Sequence, residues 1–165
     1  MSTVHEELLQ QQLENFTIQR HDFMNYFQVI RGYIQLNMPE KALAYMDEVL
    51  ISLLPQQTIS RIAEKTVVAV LLNLYFKFGK QGIKMAVKYP DEMKSKEFWT
   101  ARWLTEYADR LYGYTKEWVA NIPAVHDLED LSAEIALNAT EKGFTLEYKL
   151  YRQQELISQD LLALP

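Results

Sequence analysis

Arg20-His21-Asp22-Phe23-Met24-Asn25-Tyr26-Phe27-Gln28-Val29-Ile30-Arg31-Gly32-Tyr33-Ile34-Gln35-Leu36 is the stretch from which the fold is read. Its apolar residues belong to a longer series: Leu9, Leu13, Phe16, Phe23, Phe27, Ile30 and Ile34. These recur in steps of four and three, with Arg20 in the one polar slot, which draws an apolar stripe along a single helix. A helix of this length is not held by propensity alone, so its stripe needs a partner. Asn37-Met38-Pro39 breaks the helix. Pro39 suits the first turn of a second helix, where an amide N–H has no intrahelical partner. That helix is expected to turn Leu43, Met46, Val49 or Leu50, and Leu53 inward, and to end at Pro55 and the polar Gln56-Gln57-Thr58. A two-helix hairpin buries little by itself. Two copies complete a four-helix bundle, so a homodimer is expected, with packing of the hairpin on its own C-terminal half as the alternative.

Beyond the hairpin the pattern changes. Residues 64–80 form a very apolar helix carrying Val67, Val68, Val70, Leu71, Leu72, Leu74, Tyr75 and Phe78, with Gly82 as its stop. Ile83, Met85, Val87 and Tyr89 then alternate with Lys84, Ala86 and Lys88, a strand with one polar face. Another helix is expected over 97–120, with Leu104, Tyr107, Ala108, Leu111, Trp118 and Val119 on its stripe and Pro123 closing it. Two alternating runs follow: Leu131, Ala133, Ile135 and Leu137, then Phe144, Leu146, Tyr148 and Leu150. With the turn 138–143 between them they make a hairpin; a helix over 128–136 is the competing assignment. The tail, 156–165, is left unassigned. The whole is an α+β chain, divided into 1–57 and 58–165.

Composition narrows the function. The chain has 165 residues, of which 48% are hydrophobic, enough for a substantial core. Its 17 basic and 22 acidic residues give a net charge of -5, against the basic footprint that nucleic acid requires. Without cysteine there is no disulfide framework and no thiolate metal site. The polar start, Met1-Ser2-Thr3-Val4-His5-Glu6-Glu7, is not a signal peptide. The strongest apolar run, 67–76, broken by Asn73, is far shorter than the ~20 residues of a membrane span. A cytoplasmic protein that binds neither nucleic acid nor membrane is expected.

Each of the three histidines precedes an acid: His5-Glu6, His21-Asp22 and His126-Asp127. The pair therefore discriminates nothing. His21 differs by its surroundings. It lies one position off the stripe, at the edge of the expected bundle, with Thr17, Asn25 and Gln28 on its face at four and seven residues. Ile18 and Met24 flank it three residues away on either side, and Ile18, off the stripe, is expected to face solvent as part of a docking surface. An exposed helical imidazole with an acid beside it and an amide one turn on suits a phosphoryl acceptor. The alternative is an ordinary surface histidine. No His-Glu-x-x-His helix, serine or cysteine nucleophile motif or phosphate-cradling glycine loop is present.

His21, Asp22, Asn25, Gln28, Ile30, Gly32, Gln35, Leu36, Ala42, Leu43 and Tyr45 carry a resemblance. The segment 20–49, about a fifth of the chain, resembles the phosphoacceptor hairpin of the sporulation-initiation phosphotransferase B family and the related hairpin of citrate- and fumarate-type sensor histidine kinases. The order of elements after it is similar to a shortened kinase ATP-binding domain. Such a domain carries an asparagine on a helix to hold Mg²⁺, and an aspartate and glycines after a hairpin strand. The helix compared, 103–114, has no asparagine, and Tyr151-Arg152-Gln153-Gln154-Glu155 has neither aspartate nor glycine.

The resemblance implies a phosphorelay phosphotransferase that is not an ATP-dependent kinase. His21 takes a phosphoryl group from the phosphoaspartate of one response-regulator receiver domain and passes it to an aspartate of another. No cofactor is bound; Mg²⁺ comes with the receiver. An imidazole with an ordinary pKa near ~6.5 is mostly neutral, hence nucleophilic, at cell pH. Asp22 orients the ring, or is a solvated acid. Asn25 hydrogen-bonds the ring or the phosphoryl oxygens, or is a polar residue at the bundle edge. Arg20 neutralises phosphoryl charge, or makes a structural pair in the stripe. Thr17, Ile18, Met24 and Gln28, with Arg20, form the face offered to the receiver. Two further readings stay open: a dimeric receiver-binding protein that takes no phosphate, and a degenerate sensor kinase.

Overall fold

The computed structural model describes residues 3–122 and 130–165. Helix α1 (Val4–Gln35) begins ahead of its apolar stripe. Thr3 and Glu6 form a capping box there: the Glu6 amide donates to Thr3 Oγ1 at 3.2 Å, and the Thr3 amide to Glu6 Oε2 at 2.8 Å. Two otherwise unpaired donors are thereby satisfied. The chain turns at Asn37, whose φ of 56° is a conformation asparagine tolerates, and enters α2 (Pro39–Ser60).

The expected stop of α2 at Pro55 is not observed; the helix runs through it to Ser60. An interior proline costs about 3 kcal/mol or more. The turns beyond it bring Ile59 and Ile62 into the core, where both are buried, and each such side chain returns roughly 1.5–3 kcal/mol. A boundary after residue 57 therefore cuts a helix.

The face between α1 and α2 is aromatic. Tyr45 meets Tyr26 and Tyr33 with ring centroids 6.4 and 6.3 Å apart, and Ala42 of α2 is buried. The apolar stripe lies elsewhere. Leu9, Leu13, Phe16, Phe27 and Ile34 of α1 are exposed, as are Leu43, Met46, Leu50, Ile51 and Leu54 of α2. Leu43, Met46 and Leu50 thus face outward in the single chain, contrary to expectation, while Val49 and Leu53 are half-buried. The opposite face of α1 is already engaged with the rest of the chain, through buried Leu8 and through Gln11, Gln12 and Asn15.

Helix α3 (Lys65–Lys80) is capped by Glu64, whose carboxylate accepts from the Thr66 amide at 3.0 Å; negative charge suits that end of a helix. Gly82, at φ 73°, lets the chain leave the helix for β1 (Lys84–Lys88). The single helix expected over 97–120 is two. After a 3-10 turn at Asp91–Lys94 come α4 (Lys96–Arg102) and α5 (Tyr107–Ala120). On one straight helix Trp99 and Tyr107 would start ~12 Å apart. The break lets Trp99, Trp103 and Tyr107 surround one ring, Phe144, at 5.0, 6.0 and 6.1 Å. Leu104 falls in the break and is exposed instead of lying on the stripe.

The expected hairpin is β2 (Leu131–Ala139) with β3 (Phe144–Arg152). The alternative helix over 128–136 does not form in its described part. The unassigned tail is a strand, β4 (Glu155–Leu164), reached by a tight turn in which Gln153 and Gln154 have φ 49° and 71°. Its end presses on Gly143, where a Cβ would sit 1.9 Å from the Leu164 carbonyl oxygen. The sheet order is β1-β2-β3-β4, with β1 parallel to β2 and the other pairs antiparallel. One face of the sheet packs against α3 and α5: Trp118 lies 5.8 Å from Phe78 and 5.1 Å from Tyr148. Thr115 Oγ1 and the Tyr148 hydroxyl, 2.8 Å apart, satisfy each other there, and burial raises the Tyr148 pKa. The architecture is α+β, an N-terminal helical hairpin and a four-stranded sheet with helices. No helix of the described residues is long and apolar enough to cross a membrane. Pro123 and His126-Asp127 lie outside the described residues.

Candidate functional site

α1 carries His21 on its solvent side, with 75% of the side chain exposed. The helical repeat sets what surrounds it. Asn25, one turn on, places its amide nitrogen 3.3 Å from His21 Nδ1. The Asp22 carboxylate Oδ1 is 3.6 Å from the same nitrogen, so adjacent helical residues do bring acid and ring together. At that length the contact is electrostatic and not a hydrogen bond. Among the described residues, no hydrogen bond or ion pair involves Nε2. The ring is therefore engaged on one side and open on the other.

This asymmetry has a chemical consequence. An amide can present either end, and turning Asn25 end for end offers Oδ1 to the ring. With that oxygen as acceptor, and the Asp22 charge beside it favouring a proton there, the imidazole proton stays on Nδ1. The lone pair then sits on Nε2, pointing to solvent, which is the arrangement of a nucleophile.

Thr17, Arg20, Met24 and Gln28 are all exposed around His21. Thr17 donates to the Leu13 carbonyl of its own helix at 3.2 Å. Arg20 makes no ion pair among the described residues, because the face it shares with the stripe is uncovered in the single chain. Ile18 departs from expectation. It is half-buried and lines a groove of about 840 Å³ between the hairpin and the start of the sheet. Asp22, Phe23, Tyr26, Ser52 and Tyr75 line the same groove. Asp22 thus has two sides: one toward the His21 ring, the other into the groove.

One residue escaped the sequence reading. Asn73 lies on α3 and not on the helix compared with a kinase. Its Oδ1 accepts from Gln12 Nε2 and Asn15 Nδ2, each at 2.7 Å, and its Nδ2 donates to Gln11 Oε1. Gln11 also donates to the Tyr112 hydroxyl at 3.0 Å. A lone asparagine in a very apolar helix, seen against three amides on one face of α1, was the available signal.

Residues 1–62 match the family model described as sensor kinase SpoOB-type, alpha-helical domain. Over these 62 of its 165 residues the chain is similar to the SpoOB-type family, a likeness that points to two-component phosphorelay signalling. The SpoOB-type match ends just past Ser60, where α2 itself ends, and takes in His21, Asp22 and Asn25 together. A comparison with curated proteins finds no match for the chain.

Proposed function

We propose that the chain is a phosphorelay phosphotransferase in which His21 carries the phosphoryl group between the aspartates of two response-regulator receiver domains. The observation that carries this reading is the imidazole itself, exposed, held at Nδ1 by Asn25 and Asp22, and open at Nε2. In the first step the Nε2 lone pair attacks phosphorus. An N–P bond forms, the P–O bond to the donor aspartate breaks, and its carboxylate leaves. In the second step an acceptor carboxylate attacks and the N–P bond breaks. The transition state is loose, so alignment and charge neutralisation do most of the catalysis. Mg²⁺ belongs to the receiver. Arg20, exposed one residue from the ring, adds positive charge on this side, and Thr17, Met24 and Gln28 form the surrounding contact face. Ile18 belongs to the groove instead.

The uncovered stripe supports a homodimer, since contiguous exposed apolar surface of this extent marks an interaction site. A second copy of the hairpin would cover Leu13, Phe16 and Phe27 and complete a four-helix bundle in the cytoplasm, where receivers reside. The kinase-like likeness of the sheet region belongs to the same reading, without its nucleotide chemistry. Both ends of the Asn73 amide are committed to α1, and β3 joins β4 by a two-residue turn with no room for a lid. Titration with labelled ATP is expected to show no binding; saturable binding would restore the kinase reading. The test of function is transfer from a panel of phosphorylated receivers to a second receiver, with His21 intact and as His21→Gln. Transfer is expected only with the intact protein. Receivers that bind without any phosphoryl uptake would favour a purely regulatory binding protein.

A further inference from the structure

The phosphoacceptor sits on the hairpin, yet the groove beside it is closed from the other side by the sheet region. Tyr75 of α3 reaches across and donates its hydroxyl to the Ser52 carbonyl at 3.0 Å. Ser52 lies in α2 three residues before Pro55. Proline has no N–H, so the ladder of α2 is interrupted in this turn and the helix is weakest here. Tyr75 splints it. The Ser52 hydroxyl donates to the Val49 carbonyl at 2.7 Å, and Ser52 lines the groove together with Tyr26 of α1. Tyr26 and Tyr75 share the groove with Asp22. Burial, and then the charge of Asp22, raises the Tyr26 pKa; burial, Tyr26 and Asp22 together raise that of Tyr75. Both hydroxyls thus stay protonated beside the carboxylate. Tyr75, Ser52, Tyr26 and Asp22 line one groove, with Tyr26 one helical turn from Asp22 on α1, and Asp22 lies 3.6 Å from the imidazole.

Resting on the phosphotransferase reading, we propose that Tyr75 and Tyr26 are positioning residues that hold Asp22 beside the His21 ring, so that the sheet region of the chain sets the alignment of its own phosphoacceptor. Neither tyrosine touches the reacting atoms. They act by fixing α2 at its proline and by fixing the groove side of Asp22. This gives the sheet region a task that requires no ligand.

Tyr75→Phe keeps the ring and removes only the hydroxyl. It is expected to lower the transfer rate at saturating receiver about three- to tenfold, since small misalignments at a reacting centre are costly. The receiver concentration for half-maximal rate should stay unchanged. In the Asp22→Asn background the same substitution should add no further loss, the signature of residues acting through one another. ¹⁵N spectra of the His21 ring should show a shift away from the Nδ1–H tautomer in Tyr75→Phe and in Tyr26→Phe, which removes the other hydroxyl of the groove. An unchanged rate, an unchanged tautomer, or an equal loss with and without Asp22 would overturn the proposal. If the wild-type protein takes up no phosphoryl group, the phosphotransferase reading fails, and the tautomer measurement alone then decides whether the tyrosines position the ring.

Discussion

The two halves of this chain treat apolar residues in opposite ways. α1 is a 32-residue helix with one buried residue, Leu8; α3 is a 16-residue helix with six. The sheet and its helices bury Tyr107, Tyr148, Phe78 and Phe144 completely. The hairpin leaves Phe16, Phe27 and Leu50 in solvent. The sheet region is thus a closed core, whereas the hairpin leaves its apolar stripe uncovered in the single chain. The histidine is on the hairpin. Under the proposed function, a site that meets two different receivers gains from a bare helix face, and the buried side supplies the rigidity.

The contrast can be broken or sharpened by substitution. Leu71→Ala, at a fully buried position, is expected to cost about 2–5 kcal/mol in urea unfolding. A cost under ~1 kcal/mol would mean the sheet region is not the closed core described. Phe27, 67% exposed in the single chain, is predicted to lie in the dimer interface. Phe27→Asp should therefore raise the dimer dissociation constant about a hundredfold or more by burying charge, as measured by sedimentation equilibrium. An unaltered constant would move the interface elsewhere. Asn73→Ala strips partners from three amides of α1 and is expected to cost about 1–3 kcal/mol. Faster hydrogen exchange in the first half of α1, with the sheet unaffected, would locate that loss at the junction of the two halves.

How much was legible in the sequence follows the same division. The stripe on α1, the turn at Pro39, the strand around Met85 and Val87 and the β2–β3 hairpin were readable because burial there is periodic and one-sided. The end of α2 was not, because Ile59 and Ile62 outweigh Pro55 through contacts distant in sequence. The break before Tyr107 was hidden for a similar reason: its cause is Phe144, on a strand that follows much later. β4 was obscured because it is an edge strand, with only Leu162 and Leu164 buried. At the site, His21 and Asn25 follow from helical spacing alone. The inward turn of Ile18 and the groove side of Asp22 do not, since α3 and α2 create both. Asn73 was visible as a residue and invisible as a clasp until α1 was laid against it.

The central claim is that His21 Nε2 accepts a phosphoryl group, and intact-protein mass measurement after mixing with a phosphorylated receiver tests it most directly. The wild-type chain is expected to gain the mass of one phosphoryl group, acid-labile as a phosphoramidate is, and His21→Gln to gain none while keeping the same fold and assembly. Equal uptake by His21→Gln, or no uptake by the wild-type chain from any receiver it binds, would contradict the account.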